Sequence, residues 1–96
     1  MWDPISSAAY DTIFSMSNIE LSKKARSLTL GIYEHYKKKR YIVLGVVVHS
    51  ETLEELVLYK AMYGKRLKWV RPLDMFLENI EVEGKIIPRF KLVRAS

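Results

Sequence analysis

The apolar residues at the start of the chain recur every three or four positions: Trp2, Ile5, Ala9, Ile13 and Met16. This spacing places them on one face of a helix. Asp3 followed by Pro4 is a typical helix start, with a capping side chain and then a proline at the first helical position. Ser17 with Glu20 fits a capping box and predicts a second, short helix that ends before Gly31. The apolar stripe of that helix would consist of Leu21, Ala25 and Leu28.

From Ile32 onward the pattern changes to that of β-strands. Residues 41–48 are nearly all apolar and predict a central strand buried on both faces. Further strands with turn signals between them are predicted over 32–36, 56–63, 67–70, 80–82 and 86–93. The lysine run 37–39 forms a hairpin turn, and Pro72 opens a helical turn with Leu73, Met75 and Phe76. Such short, evenly spaced strands predict a mainly β SH3-like barrel over residues 31–96, with an OB-like barrel as the alternative. Residues 1–30 would form an N-terminal α-helical extension.

Composition narrows the class of protein. The chain has 96 residues, 49% hydrophobic and 28% charged, which fits one globular domain and excludes wholesale disorder. No apolar run reaches the ~18 residues of a membrane helix, and the N-terminus does not resemble a secretory signal. The absence of cysteine excludes disulfides, thiolate zinc sites and thiol nucleophiles, and it favours a cytoplasmic location.

Charge is distributed unevenly along the chain. Residues 1–30 carry no net charge, so residues 31–96 carry the whole net charge of +5. Two basic clusters stand out, and they are the candidate nucleic-acid contacts: Lys37, Lys38, Lys39, Arg40, Lys65, Arg66 and Lys68. A basic domain attracts polyanions through counterion release, although a lysine run in a turn also serves solubility alone.

Aromatic residues alternate with these basic residues in the predicted strands: Tyr33, Tyr36, Tyr41, Tyr59, Tyr63 and Trp69. Small barrels that bind single-stranded nucleic acid stack bases on such rings and follow the phosphates with basic side chains. If the face with Leu56 and Leu58 fills the core, Tyr59 and Tyr63 are exposed beside Trp69. If the other face fills it, the two tyrosines are core residues and the stacking surface is lost.

Two alternatives concern single residues. Trp69 is expected to be buried, with Arg71 paired to Glu51 or Glu54 in a fork that fixes a loop. The same Arg71 would otherwise bind a phosphate or carboxylate.

The apolar stripe of the first helix needs a cover, which we expect to be the barrel itself or a second copy in a homodimer.

The loop after the central strand holds the remaining candidate chemistry. His49 with Glu51 or Glu54 would form an acid–base pair at the mouth of the barrel, or else tie down the loop. No nucleophile, phosphate-binding glycine loop or second catalytic carboxylate accompanies it, so we expect no cofactor. His35 and His49 lack metal-ligand spacing, so we also expect no metal site.

Several blocks in succession resemble one family of small bacterial proteins: GIYEHYK (31–37), YIVLGVVVHSET (41–52), VLYKAMYG (57–64), WVRPLDMF (69–76) and PRF (88–90). The family is the domain of unknown function 1653. The resemblance implies a compact, mainly β domain similar to an SH3-like barrel and implies no established activity. Glu34 and Val48 stand where the family more often has arginine, so we expect no anion site that uses those two positions. Lys38 replaces a usual turn glycine.

Three hypotheses on function follow. The first is a non-enzymatic module that binds nucleic acid or another polyanion, and the second is a module that binds a protein or peptide. The third is a small enzyme centred on His49 and Glu51. The candidate ligand-binding residues are His49, Glu51, Glu54, Tyr59, Tyr63, Trp69 and Arg71.

Overall fold

A computed structural model describes residues 20–96. Two short helices are α1 (Lys23–Arg26) and α2 (Leu73–Phe76). The strands are β1 (Gly31–His35), β2 (Arg40–Val48), β3 (Glu55–Ala61), β4 (Lys68–Pro72), β5 (Asn79–Val82), β6 (Lys85–Pro88) and β7 (Phe90–Ala95). No helix in this part of the chain is long and apolar enough to cross a membrane.

Five strands form one antiparallel sheet in the order β4-β3-β2-β1-β7, and β5 pairs with β6 in a separate two-stranded sheet. The prediction of a closed barrel was therefore wrong, while the prediction of a small β fold was correct. Closure needs the two edge strands to pair. The predicted strand over 86–93 instead divides at Arg89, and its first half joins the separate β5–β6 hairpin. No strand in residues 20–96 bridges β4 and β7.

The core lies on one face of the large sheet, here called the inner face. Along β3, Val57, Tyr59 and Ala61 are buried and the residues between them are not. Phe76 of α2 covers this face with only 1% of its surface exposed, and its ring stacks on Phe90 at a centroid distance of 4.2 Å. The helical turn predicted after Pro72 is therefore present as α2 and covers the inner face of the sheet.

The opposite face of the sheet, here called the outer face, is less covered. Its apolar residues are identified from the strand register: Ile32, Ile42, Val47, Leu56, Leu58 and Val70. On the central strand β2 only Val43 is buried. The prediction that residues 41–48 are buried on both faces was wrong, because the core lies on the inner face and β2 buries only Val43 there.

The predicted second helix is present as α1, but it is shorter and starts later. Ser22, not Ser17, is its N-cap, and the Ser22 hydroxyl accepts a hydrogen bond from the Ala25 backbone N–H. Its apolar stripe is confirmed, since Ala25 belongs to the core and Leu21 and Leu28 pack against it. The predicted first helix, and the homodimer through it, lie outside the described residues.

The Ser22 backbone N–H and hydroxyl also donate to the Glu55 carboxylate at 2.6 and 2.7 Å, which ties the start of α1 to the start of β3. These two hydrogen bonds hold the pKa of Glu55 below its usual value.

Candidate functional site

Five side chains surround a shallow cavity of about 220 Å³ at the β4 edge of the sheet: Tyr41, Tyr59, Tyr63, Trp69 and Arg71. We call this cavity the aromatic pocket. Directly paired residues on neighbouring strands point to the same face. Trp69 pairs with Tyr59, and Tyr41 pairs with Ala61, so these side chains extend the inner face beyond the core.

The pocket has a buried floor and an exposed rim. Tyr59 is only 5% exposed and is a core residue, as the second alternative from the alternation of β3 predicted. That alternative also placed Tyr63 in the core, and this part of it was wrong. Tyr63 follows the end of β3 and is 40% exposed, while Trp69 is 50% exposed. The prediction that Trp69 is buried was wrong, because β4 is an edge strand and no described strand lies beyond it. Trp69 and Tyr63 therefore remain the accessible rings.

A hydrogen bond joins two phenols of the pocket. The Tyr41 and Tyr63 hydroxyls lie 2.6 Å apart, and their rings meet edge to face at a centroid distance of 5.6 Å. Burial and this hydrogen bond raise the pKa of Tyr41 to about 12. The Tyr41 hydroxyl is consequently neutral at physiological pH, and the hydrogen-bonded pair lies at the pocket wall.

Arg71 has no carboxylate partner among the described residues. Its Nε donates to the Tyr59 hydroxyl at 3.3 Å, and its guanidinium carbon lies 5.6 Å from the centroid of the Phe90 ring. The predicted fork from Arg71 to Glu51 or Glu54 was wrong, since neither carboxylate forms an ion pair with it. The terminal guanidinium nitrogens can therefore bind an external anion.

The surroundings of Arg71 are electropositive. His35 packs edge to face on Phe90, at 4.9 Å between ring centroids. Burial lowers the pKa of His35, and the positive charges of Arg71, Arg89 and Lys37 lower it further. Arg89 is neutralised by Glu78 at 2.7 Å. Among the three cations Arg71, Arg89 and Lys37, Arg71 is the one that lines the aromatic pocket.

Two basic hairpin ends lie beside the pocket. The β1–β2 turn and the β3–β4 loop meet at the same end of the sheet, where the Met62 N–H donates to the Arg40 carbonyl at 3.0 Å. The Lys39 ammonium lies 4.9 Å from the Tyr63 ring centroid. Glu34 pairs with Arg40 at 3.2 Å and with Lys38 at 3.9 Å. The other candidate contacts form no ion pair with a described residue: Lys37, Lys39, Lys65, Arg66 and Lys68.

His49 lies at the opposite end of the sheet, in the β2–β3 turn. Its Nδ1 accepts the backbone N–H groups of Glu51 and Thr52 at 3.1 and 3.2 Å. The imidazole therefore caps the turn, and the described side chains show no hydrogen bond between it and the Glu51 or Glu54 carboxylate. His35 ends β1, at the end of the sheet where β2 begins, whereas His49 follows β2 at the other end. Residues 20–96 contain no cluster of three metal-ligating side chains.

The predicted ligand-binding residues thus divide into two groups. Tyr59, Tyr63, Trp69 and Arg71 line one pocket, whereas His49, Glu51 and Glu54 belong to the far turn. Tyr41 was missing from the predicted site. Its pairing with Ala61 brings it to the pocket, and only the strand register, including the shift between Val43 and Gly45, reveals that position.

Comparison with known proteins identifies the fold. A crystal structure of a protein belonging to DUF1653 from Bordetella bronchiseptica is similar to this chain, with a TM-score of 0.69 and 28% sequence identity. The similarity covers 75% of this chain and 95% of that chain. No curated protein matches the chain. The model of the family described as a protein of unknown function, DUF1653, matches residues 31–92, which include the whole aromatic pocket. The chain therefore belongs to the DUF1653 family.

Proposed function

We propose that this protein is a non-enzymatic module that binds single-stranded nucleic acid through the aromatic pocket. The observation that carries the proposal is the Arg71 guanidinium, which lacks a carboxylate partner among the described residues and lies beside the half-exposed Trp69 ring. In this arrangement one base stacks on Trp69 and the neighbouring phosphate binds Arg71.

The charge of the pocket decides which kind of ligand it favours. Four aromatic rings around a cavity are also the arrangement that binds quaternary ammonium groups by cation–π interaction. Here a guanidinium already lines the cavity, and the Lys39 ammonium lies over the Tyr63 ring. A cationic ligand would be repelled by both groups, so the pocket favours an anion that carries a flat, apolar part.

The basic hairpin ends extend the proposed interface beyond the pocket. The five basic side chains without a described ion pair lie on the turn 36–39 and on or next to the loop 62–67. If each of these side chains and Arg71 contacts one phosphate, the logarithm of affinity should fall with the logarithm of salt concentration with a slope of about −4.2 for a single strand. A fourfold increase in salt would then weaken binding roughly three hundredfold.

A second candidate function is the recognition of an extended acidic peptide. The pocket borders β4, an edge strand that pairs only with β3 in the described part of the chain. Edge strands accept a further strand, and a carboxylate of the added strand would reach Arg71. Peptide binding should depend far less on salt than nucleic-acid binding. The turn-capping role of His49 favours either binding function over an enzyme centred on that residue.

Fluorescence anisotropy of labelled single-stranded RNA and DNA, titrated with the full chain at about 50 and 200 mM salt, tests the proposal. We expect micromolar binding at low salt. Arg71→Gln should weaken it about ten- to a hundredfold, because a charge-assisted hydrogen bond contributes about 1.5–3 kcal/mol. Arg94→Gln is the matched control, since it removes the same charge from β7, away from the pocket.

The control defines the contradicting results. If the two arginine variants weaken binding equally, the attraction is only that of net charge and the pocket is not the site. If neither nucleic acid binds at low salt, the proposal is wrong, and the acidic-peptide function is the one to test next. Far-UV circular dichroism of both variants checks that each has folded.

A further inference from the structure

Two lysines face each other directly on the outer face of the sheet, at its β4 edge. Lys60 of β3 pairs with Lys68 of β4 in the antiparallel register. Lys60 lies between the buried residues Tyr59 and Ala61 of β3, so it points to the outer face, and Lys68 points the same way. The Cβ atoms of directly opposite residues lie about 4.5–5.5 Å apart, and like charges in this position are destabilising.

No carboxylate of the described residues offsets this lysine pair. Neither ammonium forms an ion pair within residues 20–96. The neighbours of the pair on the outer face are apolar: Ile42, Leu58 and Val70. Glu34 lies on the same face of β1, but its carboxylate is already bound to Arg40 at 3.2 Å. An added anion would therefore relieve a repulsion that these residues leave in place.

The lysine pair lies directly behind the aromatic pocket. Lys68 precedes Trp69 in β4, and successive side chains of a strand point to opposite faces. Trp69 therefore faces the pocket, while Lys68 faces the other side of the sheet. Both residues are exposed, and no described strand lies beyond β4. A ligand at the rim of the pocket can consequently reach the lysine pair by passing around a single strand.

The pocket limits where a bound strand of nucleic acid can continue. The buried Tyr59 closes its floor, and the inner face beyond it is covered by Phe76. The Arg71 guanidinium fills the space over the Phe90 ring, 5.6 Å from the ring centroid. A strand with a base on Trp69 and a phosphate at Arg71 therefore cannot extend across the inner face. It must leave past the basic hairpin ends or over the β4 edge.

We propose that the strand leaves over the β4 edge, and that Lys60 and Lys68 together bind its next phosphate on the outer face. This inference rests on the proposed function, since it requires a base on Trp69. A phosphate between the two ammonium groups offsets their mutual repulsion, so the pair binds it more tightly than two isolated lysines would. A contact of this kind reads no base and is independent of sequence.

Lys60→Gln tests the crossing, because glutamine removes the charge and keeps part of the aliphatic stem. The full chain is titrated by fluorescence anisotropy with a labelled single strand of about 12 nucleotides, a length that small single-strand-binding domains cover. We expect binding at low salt to weaken about three- to tenfold, as for the loss of one exposed ion pair. The slope of log affinity against log salt should become shallower by about 0.7, the value for one phosphate of a single strand.

Lys85→Gln is the matched control. It removes the same charge from an exposed position on β6, which belongs to the separate hairpin. The affinity for the long strand should therefore stay nearly constant. The urea midpoint of Lys60→Gln should rise slightly, since the substitution ends the repulsion between directly opposite charges. A lower midpoint would contradict the repulsion from which the inference is drawn.

A dinucleotide separates this inference from the proposed function. Its single phosphate occupies Arg71, and none remains for the lysine pair. Lys60→Gln should therefore leave the affinity for the dinucleotide unchanged, whereas Arg71→Gln should weaken it. The indole N–H signal of Trp69 in NMR titrations measures this weak binding.

Three binding results would overturn the inference. An equal loss for Lys60→Gln and Lys85→Gln on the long strand would assign the effect to net charge. Unchanged binding of the long strand by Lys60→Gln, beside weakened binding by Arg71→Gln, would leave the proposed function in place and direct the strand past the hairpin ends. No binding of either probe by the unsubstituted chain would overturn the proposed function together with this inference.

Discussion

Replacing Gly31 by alanine tests whether β1 packs against β7 as closely as the structure shows. Gly31 begins β1 with a φ of +146°, in the region that residues with a side chain rarely adopt. A Cβ at this position would lie 2.2 Å from the Arg94 carbonyl oxygen and 2.8 Å from both the Ala95 Cα and the Ser96 nitrogen. All three are backbone atoms, so no side-chain rotation relieves the clash.

The expected loss of stability has two sources. Backbone strain in this region costs about 1–3 kcal/mol for a residue other than glycine. The Cβ must also move from 2.2 Å to at least 3.0 Å from the carbonyl oxygen, which displaces the end of β7. That displacement weakens the hydrogen bond from the Ser96 N–H to the Leu30 carbonyl and the ladder around it, at about 0.5–1.5 kcal/mol for each bond. We expect a total loss of about 3–5 kcal/mol, a large part of the stability of a small domain.

Urea unfolding followed by far-UV circular dichroism measures this loss, and the midpoint should fall by about 2 M or more. Gly45→Ala is the matched control, because an added Cβ there meets nothing within 4 Å and φ is not positive. That substitution should change the free energy of unfolding by less than about 1 kcal/mol. A Gly31→Ala protein as stable as the control would refute the close contact of β1 with β7.

Three further predictions concern the aromatic pocket. Trp69→Ala should weaken nucleic-acid binding about tenfold, since stacking contributes about 1–3 kcal/mol per base. The free energy of unfolding should fall by only about 1–2 kcal/mol, because half of the residue is already exposed. A large loss of stability would contradict the placement of this ring at the rim. Tyr63→Phe should lower the pKa of Tyr41 from about 12, as measured by ultraviolet titration. Because that pKa lies above the usual 10.0, the stability contributed by the neutral Tyr41 phenol is complete below pH 10 and is lost as the pH rises through 12. The Tyr63→Phe variant should lose this stability at a lower pH. The pKa of His35, which lies below its usual 6.5, should rise when inorganic phosphate binds Arg71, since the bound charge offsets the repulsion. Proton NMR of the imidazole measures this change, and an unchanged pKa at saturating phosphate would exclude an anion beside Arg71.

The lowered pKa of His35 has a second consequence. A histidine that binds its proton less readily in the folded protein destabilises the fold as the pH falls below about 6.5, since the unfolded chain then holds more protons. Removing the positive charge of Arg71 should reduce this acid sensitivity. The free energy of unfolding of Arg71→Gln at pH 5 and at pH 7 measures the effect.

Local patterns in the sequence were sufficient for most of the strands and turns. The lysine run between two β-branched segments predicted the β1–β2 hairpin, and the alternation along 56–63 predicted two distinct faces for β3. These features depend on neighbours in the chain, so periodicity reveals them. The same holds for α1, whose stripe was correct although its cap is Ser22.

The candidate site depended on contacts between distant residues. Alternation alone left open which face of β3 fills the core. The structure buries the face with Tyr59, whereas Tyr63 is exposed because β3 ends at Ala61. The lack of a described carboxylate partner for Arg71 depends on where the β2–β3 turn lies relative to β4. Tyr41 joined the pocket because the β2–β3 register places it opposite Ala61.

The sequence by itself determined that the chain is small, basic and mainly β, that its aromatic and basic residues share the same strands, and that it resembles the DUF1653 family. Only the tertiary structure decided that the sheet stays open, because edge pairing between β4 and β7 depends on the path of residues 79–90, where the chain forms a separate hairpin. The open sheet leaves β4 as an edge strand, and Trp69 is therefore exposed beside Arg71, the two residues on which the proposed function depends.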